Sequence, residues 1–382
     1  MASPEILDFD RLLAPVSEEA PAGVELKDAS AEMARYYEVK DAAEAARTAE
    51  RQLVRARLAG DDEEAVSIGP PDWKRVRDLA IEVIADKSKD LWIAAWLVEA
   101  LAREHGFAGL RDGFRLVREL AERYWDDIHP RPDEDGYVHT VAQLTGLNGD
   151  DSEGALIAPI EAIPITQGTS ERPLTSADYK QAAELEQTTD ADRRAQRIAQ
   201  GAVTMQMFER AVAETPPEFF QELIEDIEQA IREFERMGEV LDERCGQNED
   251  GYPAAPPTSN IHNALEGCRD RVRSLARHVL EGAEAEREEE ASDAAAAQGA
   301  QPSASTGKIT TREDAFRTLL QVADFFRRTE PHSPVPYALE QVVRWGRMSL
   351  PELMAELISD ESVRDDLARR VGIPKVEPAE SD

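Results

Sequence analysis

Four of the chain's five tryptophans, Trp73, Trp92, Trp96 and Trp125, fall between Asp72 and Pro130. Around them Trp73, Val76, Leu79, Ala80, Val83 and Ile84 recur at three- and four-residue steps, which is one face of a helix. Asp72, directly after Pro70 and Pro71, is placed to cap it, because a carboxylate accepts the free N–H groups of a first turn. After the polar break Asp86-Lys87-Ser88-Lys89, Ser88 is predicted to start a second helix from Lys89 to His105. There Leu91, Ala94, Ala95, Val98, Leu101 and Ala102 form a stripe that Trp92 and Trp96 widen, so neighbours must wrap it on most sides. Gly106 reads as a left-handed stop. A third helix carries Leu110, Phe114, Val117, Leu120, Ala121 and Tyr124, ending at Trp125 before Pro130. Trp73, Trp92, Trp96, Tyr124 and Trp125 are therefore the predicted core of a helical domain, and truncating one of its tryptophans should cost about 3–5 kcal/mol.

A chain of 382 residues has room for two or three domains and a substantial core. With 78 Asp and Glu against 44 Lys and Arg, the net charge is −34. Phosphate backbones and anionic membrane surfaces both need clustered positive charge, so the balance argues against nucleic acid and against docking on a lipid surface. Solubility or a saline habitat accounts for the acidity better than a dedicated basic partner does. Cys245 and Cys268 lack a Cys-x-x-Cys spacing and fit semi-buried thiols in a reducing cytoplasm. MASPEILDFD has neither the positive patch nor the apolar run of a signal peptide, and no run is long enough to span a bilayer. The expected location is the cytoplasm, without direct membrane insertion.

The rest of the chain divides by composition. Residues 1–29 are an irregular lead-in, and 30–60 a long Ala/Glu/Arg helix with sparse contacts through Met33, Tyr36 or Tyr37, Ala42, Ala45, Ala46, Ala49, Leu53 and Ala56. A short helix is predicted from Tyr137 to Leu147, while 154–175 fits either a helical turn or an extended segment. Up to about 280 a second helical block follows, with Phe208, Ala211 and Val212 on one helix. After Pro216-Pro217 a long amphipathic helix carries Phe219, Phe220, Leu223, Ile224, Ile227, Ile231 and Phe234. Residues 281–308 hold Glu, Ala, Ser and Gly without a large apolar side chain, too little to bury, and read as a disordered linker. A small helical module then begins, with capping boxes at Thr310–Glu313 and Ser349–Glu352, Pro336 in the first turn of a second helix, and a third through Leu353, Met354, Leu357 and Ile358. The expectation is an all-α protein with domains at 1–165, 166–280 and 309–382, joined to the last by the linker 281–308.

Catalytic chemistry leaves no signature. The six histidines are scattered, and neither Glu-x-x-His, His-Glu-x-x-His nor Gly-x-Ser-x-Gly occurs. Gly106, Gly109 and Gly113 follow a helix rather than a strand and lack the Lys-Ser/Thr ending, so they mark a helix stop and close packing, not a phosphate loop. The acidic loop Asp133-Glu134-Asp135-Gly136 lacks EF-hand spacing. Lys87 and Lys89, beside Trp92, could form an anion or partner contact, but solvated lysines at a helix junction are the better reading. No catalytic, metal or cofactor residue is assigned, and no cofactor is expected.

The runs DWKRVRDLAIEVIADKSKDLWIAAWLVEAL, HGFAGLRDGFRLVREL and ERYWDDIHP resemble the ImpA-type N-terminal domain that marks the TssA family of bacterial type VI secretion. LLAPVSEEAPAGVEL, ARTAERQ and the Pro-Ile stretch at 159–165 extend the likeness over roughly 8–165. Where that pattern opens a helix with arginine after the acidic loop, this chain has Tyr137-Val138-His139. The module from Thr311 to Ile358 is similar to the end of the shorter TssA class, whose terminal region is likened to a phage baseplate component and self-assembles into rings. The resemblance implies a cytoplasmic, non-enzymatic scaffold recruited to the inner face of the membrane through the baseplate. Its implied partners are baseplate, tube and sheath subunits, and other copies of itself. On that reading Phe316, Leu319, Leu320, Leu339, Val342 and Trp345 build the C-terminal core and its subunit contacts. The competing readings are an all-α enzyme with a site lined by Trp92, Trp96 and His105, and a helical adaptor unrelated to secretion.

Overall fold

Helices account for nearly all the regular structure in the computed structural model, which describes residues 2–297 (without 61, 135, 151, 169–171 and 248–250), 312–329, 334–348, 353, 356 and 357. Extended pairing among these residues is limited to isolated bridges. The chain divides into two compact units, Met1–Ala291 and Ser292–Asp382.

The first unit opens with α1 (Phe9–Leu12), whose Asp8 side chain accepts the Arg11 N–H. After an irregular strap comes α2 (Met33–Ala59), which turns Tyr36, Val39, Ala43 and Ala46 inward and leaves Tyr37 exposed. That settles which tyrosine faces the core and moves the contact line from Ala45 to Ala43. Beyond α3 (Asp62–Ile68), α4 (Trp73–Asp86) is capped by Asp72, which accepts the Arg75 N–H at 3.0 Å. It buries Trp73, Val76, Ala80, Val83 and Ile84, and α5 (Leu91–Tyr124) follows. Gly106 splits α5 with φ +57°, a left-handed value that suits glycine. The second and third helices of the sequence reading are thus the two halves of α5. The cap differs from expectation: Asp90, not Ser88, accepts the Trp92 and Ile93 N–H groups, and the helix begins at Leu91. A carboxylate two residues nearer the helix wins, and Ser88 is wholly buried in the preceding turn.

A 3-10 turn, Trp125–Asp127, ends α5; α6 (Ala142–Asn148) then forms five residues later than predicted because 137–141 is a turn. The ambiguous segment 154–175 contains both alternatives: α7 (Ile157–Glu161) and a bridge between Pro164 and Thr175. Next are α8 (Ser176–Gln187), with a Thr175–Asp178 capping box, α9 (Ala191–Ala199) and α10 (Met205–Glu214). The long helices α11 (Pro217–Cys245) and α12 (Ser259–Ala297) complete the unit.

The core is built on α5, flanked by α4 and α11, and one apolar cluster runs without a break from Leu7 to Ala276. Phe114 of α5 meets Phe234 of α11 with ring centroids 4.8 Å apart. Blocks that differ in sequence character, 1–165 and 166–280, therefore share one interior. Both cysteines are buried and free, and burial pushes the Cys245 thiol up to about 12. The helix α12 continues into the segment expected as a linker as far as Ala297, in keeping with the high helix propensity of Ala and Glu; 298–308 lies outside the described residues.

In the second unit α13 (Arg312–Thr329) and α14 (Val335–Arg347) pack on each other, with Pro336 in the first turn of α14. The two expected capping boxes, and most of the helix predicted around Leu353, rest on residues outside the described ones. No described helix is long and apolar enough to cross a membrane.

Candidate functional site

Three irregular segments meet at the junction of α4 and α5. The strap bridges to the junction at Gly23 and Ser88, with the Lys89 N–H donating to the Ala22 carbonyl at 2.8 Å. On the other side the Leu91 N–H donates to the His129 carbonyl at 2.8 Å, and the His129 N–H to the Lys89 carbonyl at 3.0 Å. Gly23 is required there: its φ is +79°, and a Cβ would stand 2.0 Å from the Lys87 carbonyl oxygen.

Lys89 overturns the expectation of a solvated lysine. It is 0% exposed, and its ammonium donates to the carbonyls of Leu12 and Ile84, both at 2.8 Å, beneath the Tyr124 ring. Those carbonyls belong to the last turns of α1 and α4, which lack intrahelical partners and carry the negative end of the helix dipole. One cation thus closes two helices. Burial pulls its pKa down to about 8, against the pull of Asp86.

Beside it Asp90 is wholly buried; burial pushes its carboxyl up to about 6, against the hydrogen bonds from Ile93 and Trp92, while nearby Glu25 adds to the rise. Glu25 moves the other way: burial works to raise it, but the His129 hydrogen bond, the Arg131 N–H and the charges of His129 and Lys27 together hold it low. His129 Nδ1 lies 3.2 Å from Glu25 Oε2, and His129 Nε2 is buried without a partner. Lys27 extends from the strap to place its ammonium 3.6 Å from the Trp92 ring centroid, a cation–π contact.

Trp73, Trp96 and Trp125 are buried, whereas Trp92 and Tyr124 are only half-buried. Trp92 Nε1 donates to the His139 carbonyl at 3.0 Å and its ring lies 4.9 Å from the His139 imidazole. Tyr137 stacks on Trp125 with centroids 4.6 Å apart. The Tyr137-Val138-His139 run, which departs from the family pattern, is therefore a cover over two tryptophans. Trp92 and Trp96 both pack on Tyr36, whereas the His105 ring lies 3.4 Å from Arg77, so two residues of the enzyme reading share one aromatic contact and the third serves another. Among the described residues no group of His, Cys, Asp and Glu is arranged to hold a metal ion. The arrangement's physical work is to lock three distant chain segments into one rigid surface.

In the second unit the six candidate residues separate. Phe316 is 9% exposed and closes the hairpin interior with Ala323 and Val343; a Cβ at Gly346 would stand 2.5 Å from its ring. Leu319, Leu320, Leu339 and Trp345 are half-buried, and Trp345 Nε1 donates to Glu356 at 3.1 Å. Val342 is 47% exposed. Sequence reasoning missed Phe325, 54% exposed, and Tyr337, 67% exposed. The signal was available: Phe325 lies beside Phe326, and only one of two adjacent helix residues can face a two-helix core.

The helical domain pinned by Lys89 and Asp90 contains residues 13–149, which match the model of the ImpA N-terminal family of the type VI secretion system. Beyond that segment the chain is similar to TssA components of the same system. It is 29% identical over 361 residues to the type VI secretion system component TssA1 of Pseudomonas aeruginosa, spanning 93% of this chain and 96% of the relative. Its structure is similar to the N-terminal domain, including the conserved ImpA_N region, of the TssA component from Burkholderia cenocepacia. That match has a TM-score of 0.57 and 26% identity, covering 73% of this chain and 98% of the other.

Proposed function

We propose that the protein is a non-enzymatic assembly scaffold of the type VI secretion system. Its C-terminal unit multimerises into a ring, and its N-terminal unit docks baseplate, tube and sheath subunits. The observation that carries this reading is the apolar exterior of the C-terminal hairpin, where Val322, Phe325, Tyr337 and Val342 are exposed on two helices whose interior is closed by Phe316 and Val343. The two described helices of this unit bury little surface on each other, and contact with further copies would add to it. The N-terminal unit, locked from inside by the buried Lys89 and Asp90, suits a docking block. The protein works in the cytoplasm and reaches the membrane through the baseplate.

Sedimentation of the full chain against a chain ending at residue 308 tests this. The full chain should sediment as a large multimer and the shortened one should fall apart. Equal sizes for the two would refute it, and pull-downs with sheath, tube and baseplate subunits test the docking half.

A further inference from the structure

The helix α9 (Ala191–Ala199) stands apart from the fold that holds it. Asp190 caps it by accepting the Arg193 N–H at 3.0 Å, yet none of its residues is buried. Isolated helices of this length are marginal in water, because so few hydrogen bonds cannot offset the cost of nucleation. Its pattern is nevertheless amphipathic: Ala191, Ala195, Ile198 and Ala199 share one face, with Ile198 44% exposed. The other face carries Arg193, Arg194 and Arg197, for which no ion pair exists among the described residues. Elsewhere this acidic chain engages its arginines thoroughly. In α5, Arg103, Arg111, Arg115, Arg118 and Arg123 all reach carboxylates.

The same unit presents a complementary surface. An open groove of about 480 Å³ between α7 and α12 is lined by Asp150, Glu153, Ile157, Glu161, Asn260 and Ala264. Asp150 and Glu153 have no ion-pair partner among the described residues. The basic side chains at the groove are already engaged: Lys180 pairs with Glu161, and Arg271 donates to Ser176. Ile157 and Ala264 offer an apolar floor for a side chain the size of Ile198.

We propose that α9 is a docking arm that seats in the acidic groove of a second copy of this chain, with its arginines against Asp150 and Glu153 and Ile198 on the floor. A phosphate surface fits less well. The net charge of −34 repels polyanions, a nucleic acid offers no apolar floor, and one Ile with three Ala is too little to enter a bilayer. The inference rests on the reading that copies self-assemble, since tethering them raises their effective concentration and makes a contact of a few charges sufficient.

The test uses the full chain carrying Ile198→p-benzoylphenylalanine, mixed as ¹⁵N-labelled and unlabelled copies and photolysed. Cross-links between unlike isotopes, running from position 198 to 150–161 or 260–264, are expected. Combined Arg193→Glu, Arg194→Glu and Arg197→Glu should lower their yield about tenfold, since each rim pair contributes under about 1 kcal/mol. Asp150→Arg with Glu153→Arg should do the same alone, and combining both sets should restore the yield to within about threefold. Helix content by circular dichroism verifies that the variants fold. Cross-links only within one copy, none at all, or no restoration on charge exchange would overturn the arm. So would capture by added duplex DNA or anionic lipid vesicles without capture between copies. An unchanged assembly size with no unlike-isotope cross-link removes this inference alone, whereas a monomeric full chain removes the scaffold reading beneath it.

Discussion

Lys89 Nζ donates to the Leu12 carbonyl at 2.8 Å, 77 residues away in sequence, and thereby ties the first helix of the chain to the head of α5. The Ile84 carbonyl receives the same ammonium, so the lysine serves as the C-terminal cap that α1 and α4 do not supply themselves.

Replacing this lysine with an apolar side chain of similar length separates its two effects. Lys89→Met leaves two buried carbonyls without a donor, which should destabilise the fold by about 2–4 kcal/mol at neutral pH. The titration runs the other way. A folded pKa of about 8 lies below the unfolded value, so between pH 8 and about 10.4 the unfolded chain binds more protons and stability rises with pH. The rise is on the order of 3 kcal/mol. Urea unfolding from pH 7 to 10.5 should show it in the wild type and not in Lys89→Met; parallel curves would mean that the ammonium is not desolvated.

Asp90 has the opposite charge and is shifted upward, to about 6. Between about pH 4 and 6 the folded state therefore holds a proton that the unfolded state has released, and this group's contribution falls as pH rises through that window. Asn retains the capping oxygen without the charge. Asp90→Asn should therefore match or exceed the wild type at pH 7 and lose the pH 4–6 slope in the difference between the two proteins. Glu25, held low, titrates in both, and its acid-side loss cancels in that difference.

Much of this domain was legible because helical periodicity reports burial directly. The faces of α4 and both halves of α5 follow from where Trp73, Val76, Leu91 and Leu101 recur. Periodicity carries no information about a charged residue satisfied by backbone. Lys89 sits in a polar break and looks solvated, because its partners are carbonyls, one of them far away in sequence. The outward face of the C-terminal hairpin was legible by contrast: Phe325 stands nine residues from Phe316, on the opposite side of the helix, so the periodicity that turns one inward turns the other out. The run of α12 to Ala297 needs no such face, since a helix of Ala and Glu forms without a large apolar residue.

The two glycines at the break in α5 make a graded pair. Gly106→Ala must accept φ +57° and a Cβ 3.0 Å from Ile163 Cγ2, a cost of about 1–3 kcal/mol. At Gly109 the added Cβ would stand 2.2 Å from the Leu101 carbonyl oxygen, which is backbone and cannot rotate away. Gly109→Ala should therefore lower the thermal midpoint more than Gly106→Ala. The reverse order would mean that the break, not the close approach after it, sets the geometry.

The aromatics of the C-terminal hairpin face two ways, which lets folding be tested apart from the proposed assembly. Phe316→Ala removes an interior ring that touches Gly346 and should cost about 3–5 kcal/mol, enough to melt a module this small. Tyr337→Ser removes a side chain that is mostly in solvent, so by itself it should shift stability by no more than about 0.5 kcal/mol. If Tyr337 and Phe325 meet another copy, Tyr337→Ser with Phe325→Ser should lower the sedimentation coefficient of the full chain while its helical signal is retained. Phe316→Ala should lower both together. Retention of the multimer by the outward double variant would place the subunit contacts elsewhere on the chain and leave the half-buried Leu319, Leu320, Leu339 and Trp345 as packing within one copy.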